Sequence, residues 1–105
     1  MPFVWRYEDE NGDGPYKSSS SEQLQDMKSL HIGDDWPSWY EDFRVPWADK
    51  GFISGFPTWT AAMVWFDGFH EVLVECGYVL YRYSVPAYDV EVGRSGKQVR
   101  FFRPS

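Results

Sequence analysis

Apolar and polar positions alternate near the start of the chain, with Phe3, Trp5 and Tyr7 on one side and Val4, Arg6 and Glu8 on the other. A period of two predicts a β-strand. The run Asp9-Glu10-Asn11-Gly12-Asp13-Gly14-Pro15 ends it in a turn. Ser19 and Ser20 then stand three residues ahead of Glu22 and Gln23, the spacing of a capping box. They predict a short surface helix over residues 22–30 that packs Leu24, Met27 and Leu30. From 31 to 57 periodicity disappears among prolines, glycines and aromatics, and the pattern predicts a long loop anchored by its own side chains.

Beyond Thr58, a candidate cap, Trp59, Ala62, Met63 and Phe66 fall at helical spacing, and Phe69, Val72, Leu73 and Cys76 repeat it. Gly68 between the sets predicts two short helices or one kinked helix, and Gly77 stands where a C-terminal cap belongs. Residues 78–85 are rich in β-formers, Pro86 interrupts them, and 88–92 resume the pattern. Gly93-Arg94-Ser95-Gly96 predicts a hairpin turn into a last strand over 97–103. The expected fold class is α+β: a single domain over 1–105, an antiparallel sheet, short helices on one face and a long aromatic-rich loop.

Composition narrows the picture. A chain of 105 residues holds one core, and 20% aromatic content supplies large buried areas without cross-links. One cysteine excludes an internal disulfide framework and a multi-cysteine metal site. No apolar run approaches the roughly 20 residues of a membrane helix. The expectation is a soluble, cytosolic protein with no cofactor and no membrane partner. The net charge of −6 lies entirely in the first half, where residues 1–50 hold eleven acids and five bases. That field repels phosphate backbones, so direct nucleic-acid binding is not expected, and it favours a basic protein surface.

Catalytic and metal chemistry find little material. Cys76 falls on the apolar stripe and reads as a core residue, His70 points elsewhere, and there is no nucleophile elbow. Asp9, Glu10 and Asp13 beside Gly12 lack the twelfth-position glutamate of an EF-hand and read as a solvated turn. Arg94, Lys97, Arg100 and Arg103 read as a charged edge strand, or else as an anion contact. The most distinctive stretch runs from Trp36 to Trp47. Exposed aromatics beside Glu41 and Asp42 would suit a surface rich in Lys and Arg. Trp36, Trp39, Tyr40, Glu41, Asp42 and Trp47 are therefore the expected partner-binding residues.

Tyr7-Glu8, Gly12-Asp13-Gly14-Pro15-Tyr16, Gly51-Phe52 ahead of Trp65-Phe66, Gly77-Tyr78-Val79-Leu80-Tyr81 and Gly96-Lys97-Gln98-Val99-Arg100-Phe101 together resemble small acidic phage and prophage proteins of the host-defence-inhibitor, or anti-CRISPR, type. The resemblance implies an inhibitor that masks a basic surface of a nucleic-acid-handling complex. The same pieces are also similar to the ADP-ribosyltransferase fold, in which a first-strand basic residue holds a nicotinamide dinucleotide and a late-strand acid assists catalysis. Arg6 and Gln98 stand at those places, with Tyr16 nearby in the Gly-Pro-Tyr turn. Gln98 cannot supply the negative charge the reaction needs, so this likeness implies a nucleotide-binding protein or a degenerate enzyme.

Overall fold

The computed structural model describes residues 2–16, 22–31, 36–43 and 51–104. Among the described residues the elements are, in order, β1 (Phe3–Glu8), α1 (Glu22–Leu30), α2 (Trp39–Phe43), β2 (Phe52–Gly55), α3 (Trp59–Trp65), α4 (His70–Glu75), β3 (Val79–Ser84), a 3-10 turn (Ala87–Asp89), β4 (Val90–Val92) and β5 (Val99–Phe102). The fold is α+β with antiparallel pairing throughout. β1 pairs with β3, and β5 lies between β2 and β4. One reciprocal pair of hydrogen bonds joins the two sheets, Trp5 N to Phe56 O at 3.0 Å and Phe56 N to Trp5 O at 2.7 Å. Pro57 has no N–H to continue that ladder.

The helical signals at 58–77 are met locally. Thr58 Oγ1 accepts from Ala61 N at 3.0 Å and starts α3. Gly68, at φ +86°, separates α3 from α4. Gly77, at φ +89°, closes α4, with Gly77 N bonded to Val74 O and Tyr78 N to Leu73 O.

Two cores form. The larger gathers Leu24 and Met27 of α1, Ala62, Trp65 and Phe66 of the α3 region, Leu73 of α4, and Tyr7, Phe56 and Tyr78 from the strands and their ends. Phe66 sits centrally, edge-on to Tyr7 at 5.2 Å and to Phe56 at 5.5 Å. The smaller core is Val4, Val85, Val99 and Phe101. A fully buried ring such as Phe101 contributes about 1.5–3 kcal/mol relative to exposure.

Several expectations are corrected. The stretch from 31 to 57 is not all loop: it contains α2 and β2. The last strand is not an edge. β5 is central in its sheet, with both edges paired, and Arg100 is buried beside Val99 and Phe101, as is Gln98 just before the strand. β3 does not join the C-terminal hairpin; its partner is β1. Leu30 and Trp59, expected in the core, are exposed, one ending α1 and the other starting α3. Cys76 is exposed as well, because α4 ends at Glu75 and the chain turns before the apolar stripe reaches it.

Candidate functional site

Phenols, indoles and the two histidines meet around the larger core. Tyr16, in the turn after β1, accepts from Trp65 Nε1 at 2.9 Å, and its hydroxyl lies 2.5 Å from His31 Nδ1. The phenol accepts from Trp65 and shares a hydrogen bond with His31 Nδ1 whose direction follows the imidazole tautomer. His31 stacks on Trp36 with centroids 4.7 Å apart and planes within 8°. Trp36 Nε1 donates to Trp65 O at 3.0 Å and closes the circuit. Burial pushes the Tyr16 phenol above the ordinary tyrosine range, opposed by the Trp65 bond, and burial lowers the His31 pKa. A parallel pair joins Tyr7 OH to His70 Nδ1 at 2.6 Å, with His70 Nε2 bonded to Met63 O at 3.1 Å.

The Tyr16, His31, Trp36 and Trp65 group and Tyr7 line a cavity of about 330 Å3, and His70 lies outside its lining. Its wall includes Tyr16, His31, Trp36, Trp39, Phe56 and Trp65, with Arg6, Ser38, Glu41, Ser54 and Gln98 as its polar members. The structure thus brings Trp36, Trp39 and Glu41 of one expected set together with Arg6, Tyr16 and Gln98 of the other. His31, Trp65 and Ser38 were not anticipated there. The Ser38-x-x-Glu41 spacing was a readable signal for the last.

Each polar group has a defined state. Arg6 is buried and donates from Nε to Glu8 Oε1 at 3.0 Å, from Nη1 to Ser54 O and Oγ, and from Nη2 to Gly12 O. Burial lowers its pKa, and Glu8 opposes the shift. Arg103 reaches the same Glu8 at 2.9 Å and the same Gly12 carbonyl at 3.0 Å. Arg6 is thereby a clamp between β1, the following turn and β2. Gln98 Nε2 donates to Pro37 O at 2.9 Å and to Asp42 Oδ2 at 2.8 Å. Both amide hydrogens are occupied.

The two adjacent acids of α2 do different work. Asp42 is 3% exposed and does not line the cavity. Its carboxylate accepts from Ser95 N at 2.8 Å, Ser95 Oγ at 2.9 Å and Gln98 Nε2, tying α2 to the β4–β5 turn. The expectation that it stands exposed for a partner is corrected on that ground. Glu41 is exposed. Its Oε1 accepts from Ser38 N at 3.2 Å while Ser38 Oγ accepts from Glu41 N at 3.1 Å, a reciprocal capping box. Trp39 is also buried, against Phe43 at 4.8 Å, so it offers a cavity wall rather than a free ring. The Tyr40 side chain and Trp47 lie outside the described residues.

The cationic hairpin is mostly engaged internally. Arg100 pairs with Glu91 at 2.6 Å and lies 4.3 Å from the Phe52 ring centroid, while Arg103 holds Glu8. The Asp9 carboxylate accepts from Asn11 N and Asp13 N within its own turn. Among the described residues, no helix is long and apolar enough to cross a membrane.

The family model described as the bacteriophage T4 Y00F protein matches residues 1–105, and the chain belongs to that family of phage proteins. No curated protein and no solved structure matches it.

Proposed function

We propose that this phage protein is a binding inhibitor of the anti-CRISPR kind, which acts in the host cytosol on a basic surface of a nucleic-acid-handling defence complex. The observation that carries the reading is the placement of Glu41, exposed among the walls of an aromatic cavity. It belongs to the half of the chain that holds the whole charge excess. Aromatic rings bury large area at low entropic cost, and a negative field steers a basic partner toward them. The internal engagement of Arg6, Gln98 and Asp42 favours recognition over turnover, because a catalytic group needs a free atom for its substrate.

The test is capture of the tagged protein's partners from bacterial lysate at low and high salt, followed by a nucleic-acid-binding assay on the recovered complex. The reading expects stoichiometric capture that weakens with salt, weakens with Glu41→Gln, and lowers nucleic-acid binding by the captured complex. Capture indifferent to both salt and Glu41→Gln would sink it.

A second reading keeps one specific observation. Arg6, Tyr16 and Gln98, the residues matching a nucleotide pocket, do line one cavity. The cavity lies at the small end of ligand sites, roughly 300–1,000 Å3, and the amide hydrogens of Gln98 are occupied. Calorimetric titration with the nicotinamide dinucleotide decides this reading, which ends if millimolar ligand gives no heat of binding.

A further inference from the structure

We infer that the cavity takes one cationic side chain, a lysine or an arginine, from the partner protein; this rests on the binding reading above and names its anchor. Three observations point the same way. The walls are aromatic, with Tyr16, Trp36, Trp39 and Trp65 among them, and ring faces attract a desolvated cation. The volume of about 330 Å3 suits a single side chain or one ring and is tight for a dinucleotide. Among the described residues, Glu41 is the sole carboxylate of the lining and makes no ion pair.

The opposing charge is Arg6. Its guanidinium is held by Glu8, Ser54 and Gly12 and is 7% exposed, whereas Glu41 is open to solvent. A long aliphatic stem can therefore lie along the rings while its charged head stays beside Glu41, the arrangement long cationic side chains favour. A neutral ring or a nucleobase would gain the stacking and at most a neutral-donor hydrogen bond to Glu41, without the attraction between opposite charges. An anion would meet the Glu41 carboxylate and a guanidinium whose partners are already in place.

The experiment is a ¹H–¹⁵N titration of the full chain, following the indole N–H signals of Trp36 and Trp65. The probes are the N-acetyl amides of arginine, lysine and citrulline, and adenosine monophosphate. The two cations are expected to shift both indole signals at millimolar concentration, with citrulline, the neutral isostere of arginine, several-fold weaker. Glu41→Gln retains the capping box and removes the charge. It is expected to weaken the cations about two- to fivefold, as for a partly exposed ion pair, and to leave citrulline unchanged. Equal binding of arginine and citrulline, or saturation first by the nucleotide, overturns the inference. If the cations do not bind while salt-sensitive capture from lysate persists, the inference falls and the proposed function stands. Cation binding without any captured partner is the opposite outcome.

Discussion

At the scale of single residues, neighbouring side chains of one type divide between holding the fold and facing outward. Asp42 and Glu41 are adjacent acids, yet one is enclosed by Ser95 and Gln98 and the other is exposed. Asp42→Ala leaves Ser95 N and one Gln98 amide hydrogen without their acceptor. The expected loss is about 2–4 kcal/mol, or a melting temperature lower by roughly 10–25 °C. Glu41→Gln is expected within about 0.5 kcal/mol of the parent, because Gln serves the capping box as well as Glu. Thermal unfolding of both variants checks the contrast; equal losses would contradict it. The sequence showed that both residues are acids in an aromatic stretch. It could not show which one the β4–β5 turn would cover, since that depends on a contact 53 positions away.

His31 gives a pH dependence of defined sign. Its pKa is lowered by burial below the ordinary 6.5, so the unfolded chain binds the proton more readily than the folded one. Its contribution is present above the unfolded value and is lost as pH falls through the lowered one. Protonation makes His31 Nδ1 a donor, so the Tyr16 hydroxyl it contacts must then accept. Urea midpoints are expected to fall as pH drops below about 6.5, with a shallower fall in His31→Gln. Parallel slopes for the two proteins would rule His31 out as a contributor.

At the scale of elements, local signals were readable and long-range pairing was not. Thr58, Gly68 and Gly77 act within a few residues of themselves, and α3, α4 and their caps lie where the spacing placed them. The same local reasoning missed α2 and β2 because their stability comes from distant partners. α2 has only five residues and is held through Asp42, while β2 has four and is held by β5. Short elements of this kind have little intrinsic preference to read. The last strand was expected where β5 lies but was misassigned as an edge, because its pairing with β2 joins residues more than 40 positions apart that no local pattern encodes. β2 is where element packing is least tolerant. A Cβ at Gly55 would stand 2.5 Å from Val4 Cγ1 and 3.0 Å from both Phe101 Cε1 and the Trp5 carbonyl. Gly55→Ala is expected to cost at least about 2 kcal/mol by overpacking, measured by urea unfolding. A cost below about 0.5 kcal/mol would mean that the two sheets are not joined this closely.

At the scale of the whole molecule, the two residue sets that the sequence offered as separate sites share one cavity. Trp36, Trp39 and Glu41 arrive from the segment around α2, Arg6 and Tyr16 from β1 and its turn, and Gln98 from the residue just before β5. Their convergence follows from the antiparallel return of β1, β2 and β5, a topology no local spacing encodes. The acidic excess was legible in the sequence, but its full surface weight was not, since Glu8 and Asp42 are buried and internally paired.

The most direct test of the account is in-cell photo-crosslinking from position 38, at the cavity, against position 88, which is 88% exposed and outside the cavity lining. A photoreactive residue at Ser38 sacrifices one helix cap, about 1 kcal/mol, and leaves Glu41 and the rings in place. A discrete adduct with a basic, nucleic-acid-handling host protein is expected from position 38 and none from position 88. Adducts from position 88 alone, or the same adduct from both, would contradict it.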